Sequence, residues 1–148
     1  MDLLYLDYNC FQRGFDDPHQ IIIRLEALAC EEIFAKAERK EIRLAWSFMH
    51  EDENILCPFV ERQLEVVRLS GLCKTRIGPD EAIYALAKGF QKQAKLSSKD
   101  AVHLACACHI KSNYFLTCDS ELIKRAKRLN LELKIINPVE YVREVERQ

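Results

Sequence analysis

The chain has 148 residues, of which 49% are apolar and 30% charged, with a formal net charge of −1. That length and balance fit one folded domain, residues 1–148, with a real core, and they exclude a disordered chain. No apolar run approaches the roughly 20 residues of a membrane span, and the N-terminal apolar stretch is too short for a signal peptide, so no membrane association and a cytoplasmic location are expected. The near-neutral total hides an asymmetry. Residues 1–70 hold 8 Lys and Arg against 14 Asp and Glu, whereas residues 71–148 hold 14 against 9. A basic surface can therefore exist without a basic isoelectric point. Seven cysteines occur without a Cys-x-x-Cys pair. Reduced core thiols are expected, because a zinc site needs about four converging soft ligands and the spacing offers no such cluster.

The run Leu3-Leu4-Tyr5-Leu6 reads as a buried strand, and Asp7 stands at its end. A polar loop is expected from Tyr8 to Asp17. Pro18, with Asp17 as its N-cap, should open a long amphipathic helix to about Arg39, with Ile22, Ile23, Leu25, Ala29, Ile33 and Ala37 at helical spacing. Ile42 to Ser47 is a candidate second strand, and Met49 to Leu56 a helix carrying Glu51, Asp52 and Glu53. Pro58 starts a helix through about Leu69, with Val60, Leu64 and Val67 on one stripe. Gly71 to Gly78 reads as a loop. Pro79 opens a helix with Ile83, Leu86, Ala87 and Phe90 inward. Ser97 to His109 is the most apolar helix, Tyr114 to Thr117 the next strand, and Ser120 to Asn130 a basic helix. Leu133 to Ile136 is a further strand, and Pro138 begins the last helix.

Strands alternate with helices, and the strands lack polar alternation. That pattern predicts an α/β fold of three layers, α/β/α, around a central parallel sheet of four to five strands. In such sheets ligands bind beyond the carboxyl ends of the strands, where strand order reverses. Asp7 and Asp119 both sit at the carboxyl ends of apolar strands. Each acid alone has an ordinary use: Asp7 as a turn former, Asp119 as a helix cap, Asp100 in the cap of its helix, and Glu53 on a solvated face. Together they sit where one sheet edge can collect them. Four carboxylates so close could not all stay ionised without a counter-charge, which a hard divalent cation supplies.

The order of these motifs resembles the PIN domain, a superfamily of metal-dependent ribonucleases that includes VapC-type toxins. The matching pieces are Leu6-Asp7-Tyr8-Asn9, then Ser47 followed by Glu53, then Lys99-Asp100-Ala101-Val102-His103-Leu104-Ala105, then Phe115-Leu116-Thr117-Cys118-Asp119. Tyr8 to Arg13 with Phe15-Asp16-Asp17, and Glu53-Asn54, resemble a bacterial branch of stand-alone PIN proteins. The resemblance implies that Asp7, Glu53, Asp100 and Asp119 bind Mg²⁺ or Mn²⁺ and are the catalytic acids, with Glu51 or Asp52 as substitutes for Glu53. Asn9, Thr117 and Ser120 would orient those carboxylates. It also implies endonucleolytic hydrolysis of RNA to 5′-phosphate and 3′-hydroxyl ends.

RNA would be held by Arg13, Lys99, Lys124, Arg125, Lys127 and Arg128, with His103 as a further contact, through phosphates and so without sequence choice. A toxin role implies an antitoxin protein as partner, and the apolar surface of the long first helix favours a homodimer. Two rivals stand beside this reading. One is a PIN-like module that binds RNA or protein without cutting. The other is a receiver or phosphatase of the α/β class, which wants paired acids at the first strand where this chain has Asp7-Tyr8-Asn9.

Overall fold

The computed structural model describes residues 1–147. Its strands are β1 (Leu3–Leu6), β2 (Arg43–Ser47), β3 (Thr75–Ile77), β4 (Tyr114–Leu116) and β5 (Lys134–Ile136). Its helices are α1 (Tyr8–Gln12), α2 (Ile21–Glu38), α3 (Phe48–Ile55), α4 (Val60–Ser70), α5 (Glu81–Ala94), α6 (Ser98–His109), α7 (Ser120–Ala126) and α8 (Pro138–Glu146). The five strands form one sheet in the order β3-β2-β1-β4-β5. Every neighbouring pair is parallel.

Successive side chains of a strand point to opposite faces, so one strand feeds two cores. Leu3 and Tyr5 join Ala45 and Phe115 on the face covered by α5, α6 and α7. Leu4 and Leu6 join Leu44, Trp46 and Leu116 on the face covered by α1, α2, α4 and α8. This gives the expected three layers. The chain runs outward from β1 through β2 to β3, then crosses back to place β4 on the other side of β1. Strand order therefore reverses between β1 and β4, and the crevice beyond their carboxyl ends is the natural ligand site.

Several expectations need correction. The stretch Gly71 to Gly78 is not all loop, since Thr75–Ile77 pairs with Ala45–Ser47 as an edge strand. The segment after Asp7 is not a loop either. It forms α1 and then a single 3-10 turn, Arg13–Phe15. Pro18 does not open the long helix. That helix begins at Ile21, and the Asp17 carboxylate instead accepts from the His19 amide. The basic helix ends at Ala126 and continues as a 3-10 turn, Lys127–Leu129.

The stripe of α4 is also reversed. Val66 and Leu69 face the core, whereas Val60, Leu64 and Val67 are 66%, 64% and 55% exposed. Ile21, Ile22, Leu25 and Leu28 on α2 are exposed as well. Leu64→Glu should therefore cost the isolated chain less than about 0.5 kcal/mol, as surface changes do. Urea unfolding would measure this, and a loss above about 2 kcal/mol would mean that another chain covers the face.

Candidate functional site

The four predicted acids arrive on different elements and line one pocket of about 290 Å³, together with Tyr8, Asn9, Gln12, Asp16 and Lys99. Asp7 follows β1 and caps α1, where one carboxylate oxygen accepts from the Tyr8 amide at 2.8 Å. Asp119 follows β4 and caps α7, accepting from the amides of Glu121 and Leu122 at 3.0 and 3.1 Å. Asp100 lies in the first turn of α6, whose cap is Ser97. Glu53 projects from α3. Beta strands β1 and β4 are neighbours at the reversal point, so Asp7 and Asp119 share one rim.

Asp7 is only 7% exposed. The Thr117 hydroxyl donates to its Oδ2 at 2.7 Å, and the Asn9 amide donates to the same oxygen at 3.2 Å. Asn9 also donates to Thr117 Oγ1 and accepts from the Cys118 amide. Burial pushes the Asp7 carboxyl up to about 6. The His103 ring and the Thr117 hydrogen bond oppose that rise, while the charges of Asp100 and Glu53 add to it. Burial likewise raises Asp100, with Asp119 contributing. Ser120 is exposed at the first position of α7 and does not line the pocket, so the expected orienting role has no contact behind it.

Of the three consecutive acids on α3, Glu53 is the one turned inward. Glu51 is exposed and accepts from the Trp46 indole at 2.8 Å, and Asp52 is exposed. Glu53 receives the His103 Nε2 hydrogen and lies 3.8 Å from the Lys99 ammonium. His103 Nδ1 pairs with the Tyr5 hydroxyl at 2.6 Å, and the Tyr5 hydroxyl pairs with Ser47 Oγ at 2.7 Å. His50 closes the network from the other side. Its Nδ1 accepts from the Ser47 amide and its Nε2 donates to the Leu6 carbonyl at 2.6 Å. Burial holds His50 well below its ordinary value, so it is neutral.

Two expected RNA contacts are engaged within the chain. His103 is fully buried and spent on Tyr5 and Glu53, so it cannot meet a phosphate. Arg13 is committed to Asp16 and Glu26, at 2.8 and 3.0 Å. Lys99 stands on the pocket wall with an exposed side chain. Lys124, Arg125, Lys127 and Arg128 are exposed along α7 and its 3-10 extension, away from the pocket lining. Phe11 is buried, and Tyr8 is anchored by donating to Asn54 at 2.7 Å.

The architecture can be set beside solved structures. A VapBC2 structure from Rickettsia felis, bound to a DNA fragment from its promoter, matches with a TM-score of 0.62. The match covers 91% of this chain and 98% of that one at 13% identity. VapBC-1 from nontypeable Haemophilus influenzae matches with a TM-score of 0.57 over 92% and 98% of the chains at 17% identity. The chain shares the fold of these VapBC chains. By sequence, no family model and no curated protein matches it.

Within the PIN-like fold the pocket has a donor set suited to a hard cation. Five carboxylates line it, and hydroxyl and amide groups stand behind Asp7 to hold it. The carboxylates are not drawn tightly together. Among the described residues, the one trio of His, Cys, Asp or Glu donors whose ligand atoms all lie within 4.8 Å is Cys10, Cys30 and Cys118. The acids face one another across a wider opening, with room for an ion that keeps several waters.

Sequence reading missed the supports behind these acids. Tyr5 and His50 are part of the site's frame, with Ser47 (from sequence only a motif residue) between them, and Asp16 adds a fifth carboxylate to the lining. One local signal existed: Ser47 and His50 stand three apart, the spacing of a reciprocal helix cap. Asp16 lies in a segment that carries the resemblance, but not as one of its site acids, because its place in the pocket depends on the 3-10 turn before it.

Proposed function

We propose that the protein is a Mg²⁺- or Mn²⁺-dependent endoribonuclease acting as the toxin of a toxin–antitoxin pair. The observation that carries this reading is the meeting of Asp7, Glu53, Asp100 and Asp119, from four distant segments, in one pocket at the reversal of strand order. When bound, the cation would lower the pKa of a water and offset charge on the phosphoryl oxygens. The chain's own residues do the rest. Thr117 and Asn9 fix the Asp7 carboxylate, and His103 and Lys99 fix Glu53. Asp119 is locked by its own helix amides. Lys99 offers an ammonium at the pocket wall for a phosphate, and the run Lys124 to Arg128 offers more along the flank.

The partner would be an antitoxin protein, in keeping with the VapBC assemblies that share this fold. The exposed apolar faces of α2 and α4 suit a homodimer or that partner. RNA as substrate implies work in the cytoplasm, and among the described residues no helix is long and apolar enough to cross a membrane.

The test joins binding to cleavage. Isothermal titration of the metal-free protein with Mn²⁺ should show saturable binding, weakened at least about 100-fold in Asp119→Asn, beyond the 10–100-fold typical of groups behind a ligand. Mixed RNA oligonucleotides should be cut with Mg²⁺ or Mn²⁺ and left whole in EDTA. The second reading is a module that binds without cutting, and the open spacing of the acids favours it. No Mn²⁺ binding and no cleavage would establish that reading instead.

A further inference from the structure

All seven cysteines are free thiols. Three of them come together from distant positions: Cys10 on α1, Cys30 on α2, and Cys118 just after β4. Their sulfurs all lie within 4.8 Å of one another. Cys10 and Cys30 are buried and Cys118 is half-buried. We propose that this trio binds one thiophilic cation, Zn²⁺ or Cu⁺, in a site separate from the carboxylate pocket and directly behind it.

The donor set decides the class of ion. Three sulfurs with no oxygen or nitrogen among them select soft or borderline d¹⁰ cations over Mg²⁺ or Mn²⁺. The size also fits. Zinc–sulfur bonds of about 2.3 Å put sulfurs around one ion roughly 4 Å apart, inside the observed limit. Three protein ligands with one open position are an accepted zinc arrangement, the fourth place going to water. Packing alone explains why these thiols are buried. It does not explain why sulfurs from three elements converge on one point, since any apolar side chain would fill that space.

The surroundings supply an entry path and a counter-charge. Cys10 and Cys30 line a cleft of about 580 Å³ between α1, α2 and α4, whose wall also carries Glu31. A hydrated cation can reach the sulfurs through it. The Arg13 guanidinium lies beside Cys118, where it offsets the excess negative charge of three thiolates.

The site touches the carboxylate pocket through one residue. Asn9 Oδ1 accepts from Cys10 Sγ at 3.5 Å and from the Cys118 amide at 3.3 Å, while Asn9 Nδ2 donates to Asp7. The Leu116 carbonyl lies as close to Cys10 Sγ as Asn9 Oδ1 does, and an ion on the sulfurs removes the one thiol proton that these two acceptors share. Occupancy of the sulfur site is thereby transmitted to the group that orients Asp7.

The test uses the full chain, kept reduced with a phosphine, stripped with EDTA and desalted under argon. Cd²⁺ is the first probe, because its thiolate complexes absorb in the ultraviolet. One equivalent should saturate the charge-transfer band, and excess Mg²⁺ should not displace it. Native alkylation followed by peptide mapping should find the half-buried Cys118 labelled in the stripped protein and protected by Cd²⁺ while Cys57 stays labelled in both, which needs no variant. Cys118→Ser should lose at least about tenfold in affinity, and Cys108→Ser should lose none. Competition against a chromogenic chelator then separates the two ions: retention of Zn²⁺ identifies zinc, and anaerobic retention of Cu⁺ alone identifies copper. Absence of a band saturating at one equivalent, a band undiminished in Cys118→Ser, or protection that spares Cys118 overturns the proposal.

Discussion

Asp7→Asn is expected to abolish metal-dependent RNA cleavage and, in the same variant, to stabilise the metal-free protein at pH 8. The two effects share one cause. Asp7 is buried among other acids, so its ionised form is held at a cost. The rise from the ordinary carboxyl value of 3.8 to about 6 corresponds to about 3 kcal/mol at neutral pH. The folded state holds this proton more tightly than the unfolded chain does. Stability from Asp7 is therefore present in full below its unfolded value of 3.8 and is lost as pH rises through about 6. Asparagine carries no charge to desolvate, though the Asn9 amide loses an acceptor, so a net gain of about 1–2 kcal/mol is expected at pH 8. Urea unfolding in EDTA at pH 5 and pH 8 reads the stability, and RNA cleavage in Mn²⁺ reads the activity. Wild-type cleavage by Asp7→Asn would remove Asp7 from the chemistry. An unchanged pH dependence of stability would remove it from the buried carboxylates.

Phe115→Ala should be the most damaging single truncation in the sheet. Phe115 is fully buried in β4 and stacks on Tyr5 with ring centres 5.5 Å apart and planes 10° apart. Loss of a buried phenyl ring costs about 3–5 kcal/mol, against a whole-domain stability of about 5–15 kcal/mol. The cavity would also slacken Tyr5, and with it the hydrogen bonds that run through His103 to Glu53. The urea midpoint should fall accordingly. A loss under about 1 kcal/mol would mean that β4 is not packed as a central strand.

The sequence made the central strands legible because each is an apolar run closed by an acid. Leu3–Leu6 with Asp7 and Tyr114–Leu116 with Asp119 needed only local pattern, and the reversal of strand order supplied their meeting place. Beta strand β3 was not legible, since Thr75-Arg76-Ile77 has no periodicity and is held by backbone bonds to β2. The α4 stripe was legible as apolar, but periodicity says nothing about whether another surface covers it. His103 shared the Asp100 face as expected, yet its partners Tyr5 and Glu53 lie 98 and 50 residues away. Arg13 was similarly hidden, because its partner Glu26 sits a helix later. The convergence of the three cysteines had no local signature at all.

The acids that line the pocket are spread from position 7 to position 119. A chain emerging from the ribosome holds Asp7, Asp16 and Glu53 well before Asp119 has been added. Until β4 docks against β1, the half-made molecule presents Asp7 without its neighbour across the rim. Under the proposed function, a cell making this chain would be spared cleavage during synthesis, because the acids meet only when β4 folds home against β1.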